Sequence, residues 1–217
     1  MGVAQAYEEM HQAANDPAAA AIAALLQVDS VEALAQAIEG QPALLELPTL
    51  EQMTGLVEQA QAAGAGQEAA GLLARLAMLI ENYNYQHAET IEPAAHRQFI
   101  TLHERLLPLA EELGIDELTA GLHRSAGWAC NTLGNHYADA DKNLEKAVEA
   151  YTRGLAFDPE NAMLLRNRAG THLDRVDLEA ARADIESAAA LEPEAARLPE
   201  LRAQLEALSR APGGESQ

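Results

Sequence analysis

Residues 133–159 read LGNHYADADKNLEKAVEAYTRGLAFDP, and residues 167–193 read NRAGTHLDRVDLEAARADIESAAALEP. Each stretch ends in a proline, and these prolines, Pro159 and Pro193, lie 34 residues apart. Small residues, an aromatic-type position and an alanine precede each proline in the same order. A fixed period of this length is typical of repeat proteins, in which a unit buries its apolar face only by stacking on its neighbour.

The pattern resembles the tetratricopeptide repeat over about residues 126–210. That resemblance implies an all-α, right-handed solenoid of helical hairpins, about ten helices in the whole chain, with a concave groove for a partner. It also implies that a helix near 197–209 caps the last repeat. From Gly134 to Ala147 the first repeat has one residue more than the family spacing, which predicts a bulged turn at 138–143.

Composition agrees with an all-helical chain. Hydrophobic residues make up 48% of the sequence but aromatic residues only 4%, so alanine and leucine must build the core, and both favour helix. Period-two alternation of β-branched residues, which would predict strands, is rare here.

Thr49 with Gln52 fits a capping box at the start of one helix. The polar stretch 82–92 is predicted to be a loop or an irregular helix end.

The sequence divides at that polar stretch into two predicted regions and a tail. Residues 1–90 form an alanine-rich acidic helical region, residues 91–210 the repeat region with its capping helix, and residues 211–217 a disordered tail. Within the first region, 30–45 and 57–79 weakly resemble the helical repeats that precede caspase-like CHAT protease domains in bacterial proteins. This second resemblance indicates a bacterial protein.

Charge is unevenly distributed. The formal net charge is −20, and residues 1–74 contain acids but no Lys or Arg, since the first basic residue is Arg75. Such a surface repels nucleic acid and anionic lipid, so we expect neither as a partner. The acidity serves solubility, or it attracts a basic protein or peptide partner. A homo-oligomer is a further option for the helices of the first region.

A single cysteine, Cys130, cannot form an intramolecular disulfide. The longest apolar run, residues 18–26, is too short to span a bilayer. The fold therefore needs no oxidising compartment, and we expect a soluble cytoplasmic protein.

The tetratricopeptide resemblance also implies which residues face the groove. In that family the first helix of each pair lines the concave face, and the residues with binding side chains there are Asn131, Asn135, Arg166, Asn167 and Arg197. Some family members hold the C-terminal carboxylate of a peptide with asparagines and cations. Asn135 and Asn167 match the two asparagines, and Arg197 replaces one cation. Asn131 and Leu201, however, stand where a lysine and an arginine belong.

These patterns predict a non-catalytic adaptor or scaffold that binds a partner peptide or protein in the groove, with no cofactor and no metal. An alternative is an accessory subunit or dedicated chaperone for a bacterial effector. Another is a small helical enzyme or ligand-binding bundle that uses the stretch 82–92 with His96 and His103. No phosphate-binding glycine loop and no metalloprotease motif supports an enzyme.

Overall fold

The computed structural model describes residues 16–28, 31–87 and 92–210, except the side chains at 31, 32, 34 and 87. Over these residues it contains no strand, ten α-helices and one short 3₁₀ helix at Pro42–Leu45. The α-helices are α1 Pro17–Leu26, α2 Val31–Gly40, α3 Leu47–Ala62, α4 Gly66–His87, α5 Pro93–Glu112, α6 Asp116–Asp139, α7 Leu144–Phe157, α8 Ala162–Asp174, α9 Leu178–Leu191 and α10 Leu198–Arg210. The predicted all-α fold of helical hairpins is confirmed.

The chain divides into two compact units, Met1–Ser125 and Ala126–Gln217, and the division falls within the sequence of helix α6. The boundary predicted near residue 90 and the predicted tail 211–217 lie outside the described residues, and both stay predictions. None of the described helices combines the length and the apolar character needed to cross a bilayer.

Helix α3 is central in the first unit and packs against α1, α4 and α5. It begins at Leu47, earlier than the capping box of Thr49 and Gln52 predicted, so that prediction is wrong. Proline is well tolerated in the first turn of a helix, and the proline at 48 occupies that place. The Thr49 hydroxyl instead donates to the carbonyl of Ala43 at 2.6 Å, which joins α3 to the 3₁₀ helix before it.

The second unit contains the same turn twice, 34 residues apart. Lys142 (φ 52°) and Val176 (φ 61°) both adopt the left-handed conformation that non-glycine residues seldom occupy. Each is followed by a helix cap: the side chains of Asn143 and Asp177 accept from the backbone N–H three residues onward. The second helices of the two hairpins, α7 and α9, therefore begin in the same way.

The first of these turns, where a bulge was predicted at 138–143, is wider than the second. The N–H of Asn143 donates to the carbonyl of Tyr137 at 2.7 Å, and the N–H of Asp177 donates to the carbonyl of His172 at 2.9 Å. The bond spans one residue more in the first turn than in the second. Helix α7 nevertheless begins with the same kind of cap as α9, because the extra residue lies within the turn before it.

Helix α10 covers the last hairpin through one apolar face. Leu198, Leu201 and Leu205 are buried in a cluster with apolar residues of α8 and α9. The residues between them on α10 are exposed and mostly polar or charged. This helix, Leu198–Arg210, lies where the capping helix was predicted, near 197–209.

Candidate functional site

Four of the five predicted binding residues form one hydrogen-bonded group in the second unit, here termed the asparagine network (Asn131, Asn135, Asn167 and Arg197). The side-chain amide of Asn167 donates to Oδ1 of Asn131 at 2.7 Å and to Oδ1 of Asn135 at 3.4 Å. Its own Oδ1 accepts from the Arg197 guanidinium at 2.6 Å. The network thus joins α6, α8 and the segment before α10.

Tyr151 of α7 belongs to the same group, although the sequence pattern did not single it out. Its hydroxyl donates to Oδ1 of Asn135 at 2.7 Å. Its ring lies so close to Gly134 that a β-carbon there would stand 2.3 Å from a ring atom. A buried tyrosine needs a hydrogen-bond partner for its hydroxyl. Tyr151 in the repeat pattern could therefore have predicted a polar residue beside it.

The Tyr151 hydroxyl acts as a donor toward Asn135. Burial raises the pKa of Tyr151 to about 12, with a further upward contribution from the charge of Asp139 and an opposing one from Arg197. The phenol therefore keeps its proton at neutral pH. As a result Oδ1 of Asn135 accepts two hydrogen bonds, from Tyr151 and from Asn167.

These bonds leave the asparagine network with N–H groups to offer. All three amide oxygens accept hydrogen bonds from within the group. In the described part of the chain, the side-chain amide groups of Asn131 and Asn135 donate none. Arg197 is exposed and uses one nitrogen on Asn167, out of a guanidinium with five N–H donors. A ligand at this place therefore meets mainly hydrogen-bond donors.

A glycine makes room for the arginine of the network. A β-carbon at Gly170 would stand 3.0 Å from a guanidinium nitrogen of Arg197, so any larger residue there would require the arginine to shift by a few tenths of an ångström. The guanidinium lies beside Asn167, to which it donates.

Arg166, the fifth predicted residue, has a different partner. Its guanidinium donates to the Glu192 carboxylate at 2.5 Å, and the Arg166 side chain is only 16% exposed. It is not joined to the asparagine network by a described hydrogen bond. Leu201, at the place where the resemblance implies a cation, is buried in the core of the unit. The cation of the network is therefore Arg197.

A second polar cluster lies in the first unit, where the alternative interpretation placed His96 and His103. His103 is fully buried, and its Nδ1 lies 2.8 Å from the Phe99 carbonyl, which can only accept. Nδ1 therefore carries the proton, and Nε2 accepts from the Ser125 hydroxyl at 2.8 Å. Ser125 in turn accepts from the side-chain amide of Asn84 at 2.5 Å.

Aromatic packing surrounds this cluster. The ring of Phe99 stacks on Tyr83 with centroids 4.6 Å apart and meets His103 edge to face at 4.7 Å. Burial lowers the pKa of His103 to about 4, so its imidazole is neutral at neutral pH. Tyr83 and Asn84 lie inside α4, which continues to His87, so the predicted loop or irregular helix end does not begin at residue 82.

Among the described residues, no group of three His, Cys, Asp or Glu side chains is placed to hold a metal ion. His96 is also buried, and its Nδ1 lies 3.4 Å from the carbonyl of Glu92. Cys130 is fully buried. Exposed thiolates act as nucleophiles and as metal ligands, and burial of the thiol disfavours both roles.

No model of a known protein family matches the chain, and a comparison with curated proteins also finds no match. The tetratricopeptide resemblance therefore depends on the sequence pattern alone. Both it and the weaker CHAT-associated resemblance stay predictions.

Proposed function

We propose that this protein is a non-catalytic adaptor or scaffold that binds an extended segment of a partner protein at the asparagine network. The observation that supports this proposal is the imbalance between donors and acceptors there. The amide oxygens are engaged within the group, while N–H groups of the partly exposed Asn135 and the exposed Arg197 remain for a ligand.

An extended peptide supplies what such a surface lacks. Its main-chain carbonyls are acceptors, repeated about every 3.3 Å along the segment. Asparagine amides bind these carbonyls with little dependence on the peptide's side chains. Phosphate oxygens are acceptors too, but the net charge of −20 disfavours nucleic acid.

Arg197 adds a preference for negative charge at one end of the site. Its remaining N–H groups suit a carboxylate, which a guanidinium binds with two parallel hydrogen bonds. An acidic side chain or a chain terminus of the partner meets this requirement. The acidic stretch 1–74 is a separate candidate for contact with a basic part of the partner.

Peptide selection on the intact chain tests this proposal. A library of random displayed peptides is enriched on the immobilised protein, and the selected peptides are measured by calorimetry against two variants. Arg197→Glu should weaken binding at least tenfold, because it replaces the donor with a repelling carboxylate.

The matched control is Arg202→Glu, which makes the same charge change on an exposed side chain of α10. It should alter affinity by less than twofold. Failure of the library to enrich any peptide, or equal effects of both substitutions, would overturn the proposal.

A further inference from the structure

A cleft of about 480 Å³ lies between helices α4 and α6 in the first unit. Its size is within the range of pockets that bind small molecules. Apolar side chains and one glycine form most of its wall, with a few polar residues among them. The lining residues are Ala74, Ala77, Met78, Ile80, Glu81, Ile115, Glu117, Leu118, Gly121, Leu122, Arg124 and Ser125.

The polar cluster described above reaches one end of this cleft through Ser125. Asn84 lies one helical turn beyond Glu81 on α4, and its amide donates to Ser125, the last lining residue on α6. Ser125 is 8% exposed, so its side chain is almost fully enclosed where it meets the cleft. The apolar walls therefore lead to a buried polar end.

The hydrogen bonds at this end leave acceptor lone pairs on Ser125 and Asn84 without a partner in the described part of the chain. The Ser125 hydroxyl spends its one proton on His103 and keeps a lone pair beyond the one that accepts from Asn84. The other amide atom of Asn84, Oδ1, is buried and has no hydrogen-bond partner among the described residues. Ser125 and Asn84 therefore offer acceptors that pair with a donor on a bound molecule, and Arg124 beside Ser125 is the donor among the charged lining residues.

The charges along the cleft point in the same direction. Glu81 and Glu117 contribute two carboxylates and Arg124 one guanidinium, so the lining carries a net negative charge. The whole chain carries −20. Both the local and the overall field favour a cation over an anion.

We propose that this cleft binds a small organic amine, with its apolar body between α4 and α6 and its protonated nitrogen at the end formed by Ser125 and Glu81. The site is separate from the asparagine network and does not depend on the peptide-binding proposal. The ligand of the cleft is a cation that donates hydrogen bonds, whereas the ligand proposed for the asparagine network is a peptide that accepts them.

Nuclear magnetic resonance titration of the full chain tests the proposal with three probes of one shape. Phenethylammonium, 2-phenylethanol and 3-phenylpropionate share the aromatic body and differ in the head group. We expect saturable shifts at residues lining the cleft, with the ammonium tightest and the carboxylate weakest. No saturable shift with the ammonium, or tighter binding of the carboxylate, would overturn the proposal.

Substitutions in the cleft give a second, independent readout. Gly121→Leu should abolish the shifts, because a β-carbon there meets no atom within 4 Å and the side chain fills open cleft space. Gly55→Leu, on α3 and equally open, is the matched control and should leave binding unchanged. Retained binding in Gly121→Leu would contradict the proposed site.

Charge variants fix the sign of the interaction. Glu81→Gln should weaken binding of the ammonium probe about two- to fivefold, and Arg124→Gln should strengthen it by a similar factor, as expected for partly exposed charges. The reverse order would indicate an anion site and overturn the proposal.

Discussion

The buried imidazole of His103 makes the stability of the first unit depend on pH in a predictable direction. Burial lowers its pKa from 6.5 to about 4, so the folded state holds the neutral form over a range in which the unfolded chain is protonated. The unfolded state binds more protons between these two values. The stabilisation is therefore complete above pH 6.5 and is lost as the pH falls toward 4.

The size of the effect follows from the two pKa values. Moving from pH 7 to pH 5 should lower the free energy of unfolding by about 2 kcal/mol through His103 alone. The pKa of His172 is also lowered, by burial, so this second histidine acts in the same direction. The contribution of His103 must be isolated by comparing variants.

Urea unfolding followed by circular dichroism measures this contribution. His103→Gln removes the titrating group, and its amide oxygen accepts from Ser125 as Nε2 does. The variant should lose about 2 kcal/mol less than the original chain between pH 7 and pH 5. His172→Gln serves as the comparison for a histidine at the less enclosed position.

Two results would refute this reasoning. One is an equal loss of stability in the original chain and in His103→Gln over the same pH range. The other is an imidazole resonance of His103 that titrates near 6.5 in the folded protein, which would show that burial does not hold the ring neutral. The resonance experiment decides the question even if the variant folds poorly.

Two further substitutions test the packing of the second unit in urea unfolding. Gly134→Ala should cost about 2 kcal/mol or more, because the new methyl group meets the Tyr151 ring at 2.3 Å, whereas Gly55→Ala meets nothing and should gain up to about 1 kcal/mol. Equal effects would contradict the close approach. Arg168→Ala should cost about 3 kcal/mol, because it removes both hydrogen bonds, at 2.8 and 2.7 Å, from the nearly buried Asp184 carboxylate. A loss below about 1 kcal/mol would show that this carboxylate is well solvated.

The hairpins of the second unit were predictable because their ends carry local signals. The second helices of the two hairpins are Leu144–Phe157 and Leu178–Leu191. Each start has its own side-chain cap, and each end precedes a proline that cannot continue a helix. Sequence-local chemistry decides such boundaries, so the sequence alone reveals them.

The end of helix α4 was not predictable in the same way. Its last turns are polar and predicted a loop or irregular end, yet the helix runs through Tyr83 and Asn84. Tyr83 stacks on Phe99, and Asn84 donates to Ser125, 41 residues away. Tertiary contacts of this kind override local propensity and leave no periodic trace in the sequence.

The candidate site was likewise predictable only in part. The tetratricopeptide resemblance pointed to Asn131, Asn135 and Asn167, and the structure places them in one group. The sequence does not reveal that Tyr151 hydrogen-bonds to that group or that Arg166 pairs with Glu192 instead. Those outcomes depend on side-chain directions across neighbouring helices, which a repeat period does not specify.

The proposed function depends most directly on the N–H groups of Asn135. Asn135→Asp keeps an oxygen that accepts from Tyr151 and Asn167 and replaces the amide donors with a negatively charged carboxylate oxygen. The affinity of a selected peptide for this variant, measured by calorimetry, should fall at least tenfold, since a peptide carbonyl then faces a carboxylate. Asn143→Asp makes the same change at a helix cap, where aspartate serves equally well, and should leave affinity within twofold. Equal affinity of the original chain and Asn135→Asp would contradict peptide binding at the asparagine network.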